Sequence, residues 1–193
     1  MQEISPKTIT ILKNKNQKKL SNTRKKNLKS ARKRRQRGYH WEDTVVKRFN
    51  EIDGWNAFRL GSPSVALPDI LAVSTKNNTI FTIEAKSGTV SSLPVPSDQI
   101  ERCLKWAETF DVYKTRKVIL AFKFLSKKRI GIDQYESRQL REFFKVWDES
   151  KEITDCVCTY EGNTYQLKDG KRIDIMLEDC KMPFNAKNQV FSK

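Results

Sequence analysis

The chain has 193 residues, 37% of them hydrophobic, and carries 38 Lys and Arg against 23 Asp and Glu, a formal charge of +15. That length supports one compact domain with an appendage and is too short for two ordinary domains. No apolar run reaches the roughly 18 residues of a membrane span, the basic N-terminus lacks the apolar stretch of a secretory signal, and four cysteines are too few for a disulfide scaffold. What remains is an intracellular protein with reduced thiols, no membrane partner, and a polyanion, most simply nucleic acid, as the complement of its charge.

The charge is concentrated. Residues 1–38 hold fourteen Lys and Arg and a single acid, Glu3, whereas residues 39–193 hold 24 basic and 22 acidic side chains. After Leu12 the first stretch offers only Leu20, Leu28 and Ala31 to a core, too little apolar surface to offset chain entropy, so residues 1–37 read as an arm that is disordered when free. Asn22 to Arg37 contains no Gly or Pro and could become helical on binding. Arg32, Lys33, Arg34, Arg35 and Arg37 are its densest phosphate-binding candidates, and such contacts weaken steeply with salt. The run 29–37 also fits a nuclear localisation signal if the host is eukaryotic, with cytoplasm or nucleoid the compartment otherwise. A solubilising tail is the plain alternative.

From Trp41 onward, Val45, Val46, Phe49 and Ile52 recur at helical spacing until Asp53-Gly54. Trp55 to Leu60 reads as a short strand, Gly61 to Ser64 as a turn, and Pro68 to Val73 as a buried strand. Asn77-Asn78 would turn the chain into Thr79 to Lys86, most simply as a hairpin. Ser87 to Ser97, with two prolines and four serines, reads as a loop, and Ser97 or Asp98 as the cap of a helix whose apolar face is Ile100, Cys103, Leu104, Ala107 and Phe110. Lys117 to Phe124 is a hydrophobic strand and Arg129 to Ile132 a shorter one. Ser137 to Trp147 is expected to be a helix through Leu140, Phe143, Phe144 and Trp147, with weak strand signals following at Val157–Tyr160 and Thr164–Leu167. The expected fold is α/β, a central mixed sheet flanked by helices. Its expected divisions are the arm (1–37), a main body (38–150) and an extension of short strands (151–193).

Chemistry concentrates in Pro68-Asp69, then fourteen residues, then Glu84-Ala85-Lys86. Side chains alternate across a strand, so Glu84 and Lys86 project from one face, and Asp69 on the partner strand can sit opposite them. Two carboxylates at a sheet end suit Mg²⁺, with Mn²⁺ able to substitute, because such cations take hard oxygen ligands and few of them from protein. A neighbouring lysine can orient the attacking water and stabilise charge growing on a phosphate. Glu42 is the best candidate for a third carboxylate.

Pro68-Asp69…Glu84-Ala85-Lys86 is the PD-(D/E)xK nuclease signature. Its context is Gly38-x3-Glu42 before a helix, Arg59-x-Gly61-Ser62 before Pro68-Asp69-Ile70, Ile83 to Ser87, and Gln99-Ile100 opening a helix. This ordered set resembles the archaeal Holliday junction resolvases over about Arg37 to Asp133. The resemblance implies a restriction-endonuclease-like fold and an endonuclease that resolves four-way DNA junctions in recombination and repair, acting as a homodimer on branched DNA. It implies that Glu42, Asp69 and Glu84 bind magnesium, that Lys86 is the catalytic lysine, and that Ser62 matches the family's active-site serine. Arg59 would contact a phosphate near the scissile bond, and Gln99 would lie behind the site. The loop Ser87–Ser97 carries no Lys or Arg, and the basic arm and the tail beyond Ile153 lie outside the pattern.

Two other functions compete: a different PD-(D/E)xK nuclease, restriction-like or flap-cutting, and a non-catalytic nucleic-acid-binding module that keeps the fold. His40 has no second histidine to work with, and Cys156-x-Cys158 lacks a matching pair at zinc spacing. Among the aromatics, Tyr39 and Trp41 beside the arm are the better candidates for touching nucleic acid.

Overall fold

The structure is a computed structural model that describes residues 28, 31–33, 35–60 and 66–185. The chain divides between Arg37 and Gly38. In the first unit the described residues 28, 31–33 and 35–37 are helical, and Arg37 Nε donates to the Lys33 carbonyl at 3.3 Å. These positions fall within Asn22 to Arg37, the segment expected to be able to turn helical, where alanine, arginine, lysine and glutamine all favour helix intrinsically. The rest of the arm, Arg34 included, lies outside the described residues.

The second unit is built on a mixed five-stranded sheet in the order β1 (Asn56–Arg59), β2 (Ile70–Ser74), β3 (Thr79–Gly88), β5 (Thr115–Phe124), β8 (Arg141–Val146). Only β3 and β5 run parallel. The β2–β3 hairpin turns at Asn78, whose φ of 47° is one that asparagine tolerates. Helix α1 (residues 38–50) covers one face. Its Trp41, Val45 and Phe49, spaced four apart, are fully buried against Ile70, Ala72, Phe81, Ile83, Ala85, Ile119 and Ala121. Gly54, at φ 78°, reverses the chain after it.

The opposite face receives helix α2 (Ser97–Thr109) and a second, antiparallel sheet. That sheet runs β11 (Lys171–Ile175), β10 (Thr164–Lys168), β9 (Asp155–Thr159), β4 (Ser92–Val95). Ile100, Cys103 and Ala107 meet Val118, Leu120, Phe122 and Phe124 there, together with Leu93, Val95, Cys156 and Cys158. The segment after β11 returns to the first core, where Cys180, Met182 and Phe184 are buried. Among the described residues no helix is long and apolar enough to cross a membrane.

Four expectations need correction. Residues 137–147 form no helix: β7 (Gln134–Ser137) ends there and β8 begins at Arg141. Alternation overrides the apparent helical spacing, because Phe144 and Val146 enter the α1-side core while Phe143 enters the other, and β5 pairs with Arg141–Val146. The segment 87–97 is not simply a loop, since β3 continues to Gly88 and β4 forms around Pro94. That proline is tolerated because β4 is an edge strand. Helix α2 is preceded by Pro96 with no side-chain cap; instead the Ser97 amide donates to Asp155 Oδ1 at 2.9 Å, a strand across the interface satisfying the helix start. Finally, Trp41 is fully buried, its Nε1 donating to the Ala121 carbonyl at 3.3 Å, so it offers nothing to nucleic acid.

Replacing Trp41 by Ala removes the largest side chain holding α1 to the sheet. The expected loss in chemical denaturation is about 3–5 kcal/mol.

Candidate active site

Four of the anticipated residues converge at one end of the central sheet. Asp69 lies one residue before β2, and because Ile70 pairs with Ile83, it stands beside Glu84. Its Oδ2 accepts the Ala85 amide hydrogen at 2.9 Å, which fixes the carboxylate against β3. Glu84 is 1% exposed, and its two oxygens are held separately, Oε1 by Lys86 Nζ at 2.5 Å and Oε2 by an Arg102 guanidinium nitrogen at 3.1 Å. Glu42, in the first turns of α1, is buried beside them, and its Oε2 has no hydrogen-bond partner.

This crowding shows in the acid–base behaviour. Burial pushes the Glu42 carboxyl up to about 7, with a further push from the charge of Asp69 and a partial offset from Arg59. Glu84 is also raised to about 7, chiefly by burial; Lys86 opposes the shift and Asp69 adds to it. Carboxylates gathered in a poorly solvated place repel one another and take up protons unless a cation joins them.

Oxygen donors of this kind are the ligands of hard divalent cations, and the unpartnered Glu42 Oε2 is the atom such an ion would satisfy. The set therefore fits a hard divalent cation, with Glu42, Asp69 and Glu84 as the residues that would hold it. Among the described residues no three His, Cys, Asp or Glu side chains already stand in coordinating positions. Lys86 and Arg102 occupy both Glu84 oxygens instead.

Arg59 ends β1 at the same sheet end; its Nε is 3.4 Å from Asp43 Oδ1 and its guanidinium lies 4.9 Å from the Tyr39 ring centroid. Gln99 sits in the first turn of α2 with a buried Oε1 that finds no partner. Ser62 lies outside the described residues; nearby, the Leu60 amide donates to the Asp69 carbonyl at 2.9 Å and Trp106 Nε1 to the Ala66 carbonyl at 2.8 Å. Arg32, Lys33 and Arg35 are exposed in the first unit, and Arg37 is half-buried.

Arg102 is the site residue that sequence reading missed. Its signal was available, since it follows Gln99 by three residues and shares its helix face. The helix that carries it is tied to β3 by Thr82 Oγ1, which donates to the Cys103 carbonyl at 2.9 Å.

A sheet-end cluster of acids with a lysine two residues from the last of them, on a mixed sheet, carries the groups that metal-assisted phosphodiester cutting calls for. The model of the archaeal Holliday junction resolvase (Hjc) family matches residues 33–151. A crossover junction endodeoxyribonuclease of Sulfolobus islandicus rod-shaped virus 1 is 33% identical over 102 residues, 46% of this chain and 82% of that protein. The chain belongs to the archaeal Holliday junction resolvase family, and it is a nuclease. A solved structure of an Archaeoglobus fulgidus Holliday junction resolvase is also similar, at 16% identity and TM-score 0.44 over 65% of this chain and 85% of that one; the family assignment rests on the first two matches.

The Glu42 shift has a consequence for stability. With its folded pKa raised from 4.5 to about 7, protonation favours the folded state; that contribution is fully present below about pH 4.5 and is lost as pH rises through about 7. In metal-free buffer, Glu42→Gln should therefore melt about 2–4 °C above the parent protein at pH 8 and close to it at pH 4.5. A lower melting temperature at pH 8 would contradict the buried, unpaired carboxylate.

Proposed function

We propose that this nuclease is a Mg²⁺-dependent endonuclease that resolves four-way DNA junctions inside the cell, serving recombination and repair, with Mn²⁺ able to replace Mg²⁺. The observation that carries the reading is the buried Glu84, gripped by Lys86 and Arg102 beside Asp69 and Glu42, in a chain whose family match spans all of these positions.

A bound Mg²⁺ would supply Lewis-acid activation of water and neutralise charge on the attacked phosphate. The contacts support the following roles for the protein's own groups. Glu42, Asp69 and Glu84 would hold the ion. Lys86 Nζ, fixed on Glu84, is positioned to orient the attacking water and to stabilise the negative charge that develops as phosphorus is attacked. Arg59, braced by Asp43 and Tyr39, takes a phosphate next to the scissile bond; Gln99 stands behind the site, and Ser62 is the serine that the family resemblance assigns to it. The basic residues Arg32 to Arg37 supply salt-sensitive affinity without sequence preference. Symmetric paired cuts require two sites related by a two-fold axis, hence a homodimer.

Single-turnover cleavage of four-way junction, flap and linear duplex substrates in Mg²⁺ tests this directly. The parent protein should prefer the junction. Lys86→Ala should lose about 10²–10³-fold in rate, and Asp69→Asn at least as much, while junction binding stays nearly unchanged. Equal cutting of flaps or duplex would support a different PD-(D/E)xK specificity, and no cleavage of any substrate would support a binding module. An Asp69→Asn protein as active as the parent would overturn the site itself.

A further inference from the structure

A two-stranded ribbon, β6 (Lys127–Gly131) and β7 (Gln134–Ser137), belongs to neither packed sheet. Its register pairs Lys127 with Ser137, Lys128 with Glu136, and Arg129 with Tyr135. Paired residues share a face, and the face alternates along each strand. Lys127, Arg129, Tyr135 and Ser137 therefore lie together, and Glu136 falls on the other face beside Lys128. All four are exposed, Tyr135 at 48%. This face presents two cations and an aromatic ring and contains no acid. Arg129 Nε donates to the Gly131 carbonyl at 3.1 Å, which holds its side chain along the ribbon. Ile132, 83% exposed, marks the turn.

The base of the ribbon is fastened to the strand that carries the active site. Lys86 pairs with Phe122 and Gly88 with Phe124, where β5 ends. Just beyond, the Leu125 amide donates to the Gly88 carbonyl at 2.9 Å and the Arg129 amide to the Thr89 carbonyl at 2.8 Å. Arg138, immediately after β7, donates to the carbonyls of Leu125, Gly88 and Val90 and lies 4.5 Å from the Tyr160 ring centroid. Lys86 and Gly88 are about 7 Å apart along β3 at the usual rise, and a five-residue strand is about 16 Å long. The ribbon thus leaves the same sheet end as Glu84 and Lys86. Nucleic acid seated at those residues would lie beside it, and a DNA major groove admits a two-stranded ribbon.

We propose that the β6–β7 ribbon is a second DNA-contacting element: Lys127 and Arg129 take backbone phosphates of the arm next to the cut, and Tyr135 stacks on a base exposed where the strands branch. This rests on reading the site as that of a junction nuclease. The cationic face without acids selects a polyanion over a protein partner, and the ring adds the affinity for an unstacked base that aromatic side chains give single-stranded segments.

The test uses the full chain with a four-way junction in EDTA, read by fluorescence anisotropy across salt concentrations and by a 2-aminopurine placed at the branch. For Lys127→Ala/Arg129→Ala the slope of log affinity against log salt should flatten by about 1.8, two phosphates' worth. Tyr135→Ala should bind about tenfold more weakly and lose the quenching of 2-aminopurine, and Tyr135→Phe should restore both. Unchanged slope and affinity in variants that melt like the parent would overturn the proposal. So would variants that sediment as a smaller species, because the ribbon would then be a contact between copies of this chain. Binding in EDTA is independent of cutting: a parent protein that cleaves no junction sinks the junction-resolving reading, while the slope and quenching still decide the ribbon.

Discussion

Three carboxylates brought together, two of them buried, repel one another, and the protein holds Glu42, Asp69 and Glu84 in that arrangement by surrounding them with compensating groups. Asp69 has the Ala85 amide. Glu84 has Lys86 on one oxygen and Arg102 on the other. Glu42 has the more distant charge of Arg59 and a buried oxygen with no hydrogen-bond partner. On the proposed reading a divalent cation would replace the protons that burial favours on Glu42 and Glu84. The destabilisation is local, and the two hydrophobic cores on either side of β3 offset it.

Those cores explain why the acids stay in register. β3 is buried on both faces, with Phe81, Ile83 and Ala85 turned toward α1 and Thr82 bonded to α2. Its antiparallel partner supplies Asp69 and its parallel partner β5 runs on to the ribbon base. A one-residue slip of β3 would exchange the faces of Glu84 and Ala85, placing a carboxylate in the α1 core. Register is therefore enforced by packing, and the active site inherits its precision from it.

Much of this was legible in the residues alone. The period-two run Thr79 to Lys86 and the pattern Pro68-Asp69…Glu84-x-Lys86 placed the hairpin and three of the converging side chains correctly, because strand alternation is a strong local signal. The failures came where long-range pairing overrides local pattern. Phe143 and Phe144 mimic a helix face, yet each enters a different core as β8 pairs with β5. Pro94 argues against a strand except at an edge, and edges are set by tertiary neighbours. The hairpin between β10 and β11 turns on Asp169-Gly170, both at positive φ, and Asp-Gly is a turn signal that could have been read. Arg102 shares a helix face with Gln99 and could have been found from it, but that spacing does not name Glu84 as its partner.

The central claim, that Glu42, Asp69 and Glu84 form one metal-binding unit that holds protons when empty, is tested most directly by titrating the metal-free protein with Mg²⁺ near pH 6.5 in buffers of different ionisation enthalpy. Saturable binding of the ion with net proton release is expected, with both lost in Asp69→Asn. Binding without proton release, or release that survives Asp69→Asn, would contradict it.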